Sequence, residues 1–281
     1  MSIPTLPPIP EEILTRLNAP GDWDEEFFDE YFDAVDRFRD SLGDPAVTLG
    51  LARRLWADPD EKMRALGFDL LAFKSPDVSW QLTPLVEAAE ALDLDRVDEN
   101  LRWSAAHALA AVDHERALVP LLRFARDPDP DVRRHVARGA SPSGLMLLPE
   151  EAVTVLLDLM RDLNPGVRDW ATFSLGVRSG NDTPEIRDAL AAVLEDLEAD
   201  TAGEAAVALA LRHDPRVLPV LKEKLADLDV GNLYLEAAQE LGDPQFLPLL
   251  RQLKDRGWGV ETGDAFYLDS ALEILSGSST A

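Results

Sequence analysis

With 281 residues, 46% of them hydrophobic, the chain can bury a large core, and the absence of cysteine excludes a disulfide framework, a thiolate metal site and a thiol nucleophile. Its net charge of −26, from 27 basic and 53 acidic residues, sets the global field against nucleic acid, because binding phosphate needs cations that displace counterions. The same field attracts a basic partner, although acidity also serves plain solubility. No apolar run approaches the ~18 residues of a membrane span, so no membrane contact is implied. A soluble, cytoplasmic, monomeric protein is the expectation.

Residues 1–21 read as a proline-rich extension with a short helix. Met1 to Pro10 holds four prolines and no base, unlike a secretory signal. Residues 22–39 predict a strongly amphipathic helix. Trp23, Phe27, Phe28, Tyr31, Phe32, Val35 and Phe38 share one face, and Asp22, Asp24, Glu25, Glu26, Asp29, Glu30, Asp33 and Asp36 cover the other. Residues 22–44 are therefore expected to cap the first repeat, with a docking helix for a basic partner as the alternative.

Beyond residue 44 a unit recurs: an apolar residue, usually Arg next, and a small residue four positions on. The copies are Met63-Arg64…Gly67, Leu101-Arg102…Ala105, Val132-Arg133…Val136 and Val167-Arg168…Ala171, then the weaker Thr201-Ala202…Ala205 and Leu233-Tyr234…Ala237, with a degenerate copy from Phe266. The intervals of 38, 31, 35, 34, 32 and 33 residues suit two short helices each. First helices are expected over 45–57, 76–91, 114–126, 149–162, 184–197, 215–226 and 244–255. Second helices are expected over 60–73, 98–112, 131–140, 165–176, 201–211, 231–241 and 264–276. Asp60, Asp98, Asp129 and Asn164 stand where a side-chain oxygen caps the second helix, and Pro59, Pro130 and Pro165 suit its first turn. Period-two alternation is absent, so no sheet is expected. Two helices cannot bury both apolar faces alone, so residues 22–276 should stack as one array, with 277–281 a disordered tail.

The stretches Asp129-Pro130-Asp131-Val132-Arg133, Asn164-Pro165-Gly166-Val167-Arg168 and Asp182 to Leu190 resemble the bacterial HEAT-repeat family, in the short form described in phycobilisome lyases. The likeness covers about residues 45–255. It implies an all-α fold, a right-handed α-solenoid of about seven antiparallel helix pairs. It also implies that the motif arginines Arg64, Arg102, Arg133 and Arg168 pair with loop aspartates in a structural ladder, which should lapse at Ala202 and Tyr234.

Offsets +2, +3 and +6 of each second helix are expected to face away from the core, onto a concave surface. They give Ala65, Leu66 and Asp69 in the first repeat; Gly203, Glu204 and Val207, then Leu235, Glu236 and Gln239, in the later ones. Between these, Trp103, His107, Arg134, His135, Arg138, Asp169, Trp170 and Phe173 form the candidate binding set. Charge shifts along the same stretch: residues 102–138 sum to +2, whereas 11–61 and 181–243 each sum to −10.

No catalytic or metal motif is legible: there is no His-Glu-x-x-His, phosphate loop or nucleophile elbow, and the four histidines lack ligand spacing. The chain reads as a protein-binding scaffold for another protein or peptide, a basic one suiting its charge, with neutralisation of a basic effector as a subclass. No cofactor is implied. A lyase-like enzyme handling a small molecule or chromophore is the alternative, with Asp169, His107 and His135 its available acid–base groups. HEAT-like DNA glycosylases offer a third resemblance through Trp103, Asp169 and Trp170, which the acidic flanks disfavour.

Overall fold

The structure, a computed structural model, describes residues 6–19 and 25–277. Asp22, Trp23 and Asp24 of the expected N-terminal helix, residues 1–5 of the extension and 278–281 of the tail lie outside the described residues. The described residues contain helices, turns and loops and no strand. The chain divides after Gly144 into two compact units.

The first unit opens with α1 (Glu11–Leu17) and α2 (Glu25–Leu42). Three helix pairs follow: α3 (Pro45–Trp56) with α4 (Glu61–Asp69), α5 (Ser79–Glu90) with α6 (Glu99–Ala111), and α7 (Glu115–Leu122) with α8 (Pro130–Gly139). The second unit holds four pairs: α9 (Glu150–Leu159) with α10 (Pro165–Gly176), α11 (Pro184–Val193) with α12 (Ala199–Leu211), α13 (Val217–Lys224) with α14 (Asn232–Leu241), and α15 (Leu247–Asp255) with α16 (Ala265–Leu275). These are the seven expected pairs.

Capping chemistry starts the second helices. The side chains of Asp60, Asp98, Asp129 and Asn164 accept from backbone N–H groups of their first turns, at 3.0, 2.8, 2.9 and 3.2 Å. Pro130 and Pro165 occupy the first turn, while Pro59 stands one residue before its cap. The loops also carry their own fastener. Asp58, Asp127, Asp162, Asp196 and Asp227 each accept from the N–H two residues on, at 2.9 to 3.1 Å. Some boundaries differ from expectation for local reasons. α4 stops at Asp69 because Leu71 and Phe73 donate to Phe68 and Leu71 in tight turns. α5 starts only at Ser79, whose N–H is taken by Asp77 at 3.0 Å.

Within each unit the second helices stack in chain order, α4 on α6 on α8 and α10 on α12 on α14 on α16. Leu101, Ala105 and Leu109, four apart along α6, are almost wholly buried, as a 3.6-residue period requires. Small residues set the spacing. A Cβ on Gly176 of α10 would lie 2.6 Å from the Cβ of Ala208 on α12, so any larger side chain forces the helices apart.

Candidate binding site on the second helices

In the first unit Trp103 and His107 project from α6 and His135 from α8. The Trp103 ring lies 4.8 Å from His107 and 4.6 Å from His135. Helix α2 lies over this cluster: Phe28 meets Trp103 edge-on at 4.9 Å, and Phe32 meets His107 at 5.1 Å. The aromatic face of α2 thus reaches the second helix pair as well as the first. His135 is 7% exposed. Burial holds the His107 imidazole down at about 3, helped by the Arg138 charge, and holds His135 well below its ordinary value. Both rings are neutral at pH 7. Arg134 remains exposed beside Asp131 at 3.2 Å, and Arg138 is half-buried.

The first repeat departs from its pattern. Ala65, Leu66 and Asp69, expected to face outward, are buried, because Ile13, Leu17, Tyr31 and Val35 of α1 and α2 close over α4. Asp69 is 3% exposed. Its Oδ2 accepts from the Tyr31 hydroxyl at 2.7 Å, and its Oδ1 has no hydrogen-bond partner. Burial pushes its carboxyl up to about 7, against the lowering influence of the Tyr31 and Ser104 hydroxyls.

In the second unit Asp169, Trp170 and Phe173 lie on α10, the two rings edge to face at 5.9 Å. Asp169 accepts from the Thr201 hydroxyl at 3.3 Å. Next to them come Glu204 on α12 and Glu236 on α14, at the +3 offset, whereas Gly203, Val207 and Leu235 are buried. Glu204 is pushed up to about 7, first by burial and then by Asp169, Glu236 and Asp200. Asp169 and Glu236 are raised too, each mainly by burial, with neighbouring carboxylates adding. None of these four acids forms an ion pair among the described residues. Among the described residues no three His, Asp or Glu side chains are placed to hold a metal ion.

The motif arginines differ among themselves. Arg102 donates through Nε to Asp127 at 2.7 Å, and Arg168 grips Asp196 with Nε and Nη2 at 2.7 and 2.9 Å. Each aspartate belongs to the loop of the following repeat and also holds that loop's N–H. Arg133 reaches the Asp127 carbonyl at 2.7 Å, and Arg64, among the described residues, pairs with Glu61 of its own helix, at 3.7 Å. At Ala202 and Tyr234 the position has no guanidinium to offer.

A family model described as HEAT repeats matches residues 82–176 and 153–242, more than half of the chain. The chain belongs to the HEAT-repeat family. Its repeats are 35% identical over 124 residues to the YibA proteins of Escherichia coli strains K12 and O157:H7, a match covering 44% of this chain and 42% of each relative. The X-ray structure of the Escherichia coli YibA protein shares the fold, with a TM-score of 0.68 at 23% identity over 95% of this chain and 92% of that one. An engineered protein shares it at a TM-score of 0.53 and 17% identity, over 95% and 78%. Among the described residues no helix is long and apolar enough to cross a membrane.

Two features of this HEAT-repeat chain escape a reading by offsets. Arg212, outside the motif, is half-buried and donates to the carbonyls of Leu175, Ser179 and Asn181 at 3.2, 3.3 and 2.8 Å, closing the end of α10. Tyr31 and Asp69 meet across 38 positions of sequence, which no local spacing announces. The one signal was an aspartate set inside the apolar run Leu66-Gly67-Phe68-Asp69-Leu70-Leu71.

Proposed function

We propose that this HEAT-repeat protein is a protein-binding scaffold whose second-helix row in the second unit grips a basic segment of a partner. One observation supports this most: Asp169, Asp200, Glu204 and Glu236 crowd together without an ion pair among the described residues, and their charges add to the burial that holds the Glu204 proton to about 7. Such crowding opposes folding, and a Lys- or Arg-rich partner relieves it by supplying the missing charge. Trp170 and Phe173 on the neighbouring helix add aromatic contact area of the kind that dominates interfaces. The −26 net charge would steer a basic partner toward the surface from a distance. Neutralising a basic effector in the cytoplasm, as a monomer, is the form of this role that the charge suits best.

The test is affinity capture with the tagged protein at low and high salt, repeated with Glu204→Gln, Glu236→Gln. The reading expects basic proteins to be retained at low salt, released at high salt and lost with the double variant. Retention of the same proteins by the variant would refute it.

A further inference from the structure

Beside α2 the first unit holds a cavity of about 290 Å³, open to solvent at one end. Aromatic rings line it beside Leu17, Ala19 and Ala65: Phe28 and Phe32 from α2 and Trp103 from α6, with the Phe28 and Trp103 rings at 82° to one another. At its inner end stands Asp69, almost wholly buried, with the Tyr31 hydroxyl on one oxygen, the Ser104 hydroxyl beside the carboxyl and no hydrogen-bond partner on Oδ1. Lys62, Glu99 and Asp131 sit around the mouth, so the charged groups of the cavity are three acids and one base.

A buried carboxylate oxygen without a donor is costly to keep, and proteins generally satisfy such atoms. The enclosing chemistry says what donor fits. Aromatic faces attract an organic cation, a carboxylate end wall adds charge and hydrogen bonding, and the volume suits a group of side-chain size. We propose that this cavity is a binding site for an alkylguanidinium or alkylammonium group, with Asp69 Oδ1 accepting its N–H and Trp103 and Phe28 flanking its charge. A free amine and an arginine or lysine side chain of a peptide present the same chemistry. The site lies in the first unit and does not depend on the carboxylates of the second.

The experiment titrates agmatine, an arginine-containing tripeptide amide and tetramethylammonium into the full chain, reading tryptophan fluorescence and thermal midpoint. Agmatine or the tripeptide, or both, should bind saturably, the first pointing to a small-molecule ligand and the tripeptide alone to a partner's side chain. Tetramethylammonium, a cation without N–H, should bind at least tenfold more weakly. Asp69→Asn, which keeps the shape and the Tyr31 contact, should lose at least tenfold in affinity while retaining its helical circular dichroism. Lys62→Glu at the mouth should tighten binding a few-fold and leave the Tyr31–Asp69 contact untouched. Failure of both guanidinium probes up to about 10 mM, where one charged contact should register, would overturn the proposal. So would equal binding by folded Asp69→Asn, or weaker binding by Lys62→Glu.

Discussion

The two units use the same repeat to opposite electrostatic ends. In the first, the second helices carry Trp103, His107 and His135, and the aromatic face of α2 closes over them, so their titratable groups are held neutral by burial. In the second, the corresponding offsets carry Trp170, Glu204 and Glu236, and the acids stay partly exposed and mutually repelling. A repeat specifies the buried seam between neighbours and leaves the outward offsets free to vary, so one surface can hold its own chain while another is left charged for a partner.

The largest effect should come from removing the contact that holds α2 in place. Tyr31→Ala deletes a side chain 1% exposed and strips Asp69 of the hydroxyl bonded to Oδ2. A loss of about 4 kcal/mol is expected in denaturant unfolding, borne by the first unit. Hydrogen exchange should show protection lost in α1, α2 and α4 and kept in α10 to α14, and loss spread equally over both units would break the comparison.

The inter-repeat ion pairs are what the units share. Asp127→Ala in the first and Asp196→Ala in the second each free a partly buried arginine and a loop N–H. Both should cost about 3 kcal/mol, the scale for breaking a partly desolvated pair, in matched thermal unfolding. A cost below half that at either site would show that the pairs are not equivalent.

Fold and site were legible to different degrees. The seam repeats in sequence, so Val132-Arg133 and Val167-Arg168 with their caps Asp129 and Asn164 located the pairs from chemistry confined to a few residues. What covers the second helices does not repeat. The outward offsets of α4 proved buried because Ile13, Leu17 and Tyr31 arrive from a segment outside the repeat pattern. The ladder position at Arg64 pairs, among the described residues, with Glu61 of its own helix, a difference that the motif does not encode.

Acid–base behaviour tests the burial assigned to the first unit. Folded Asp69 keeps its proton up to about 7, whereas an unfolded aspartate releases it near 3.8. Between these values the folded state binds more protons, so this group lowers stability as pH rises from about 4 to 7, on the order of 4 kcal/mol. His107 and His135 act oppositely: each binds its proton less readily when folded, so their contribution is lost as pH falls below about 6.5. The difference between wild type and Asp69→Asn isolates the aspartate, and a pH-independent difference would contradict the burial assigned to it.

The smallest effect distinguishes a surface kept for binding from one kept for stability. Glu204→Gln relieves repulsion from Asp169, Asp200 and Glu236, and should raise the thermal midpoint by about 2 °C at pH 8 while weakening capture of a basic partner. A fall in the midpoint would mean that the carboxylate is held by contacts of its own.

The most direct measurement is the carboxyl titration of Glu204, followed by carbon NMR with and without a poly-arginine peptide. The account predicts a midpoint near 7 in the free protein, moving down when the peptide supplies the missing cations. An ordinary midpoint in the free protein, or one that the peptide leaves in place, would contradict it.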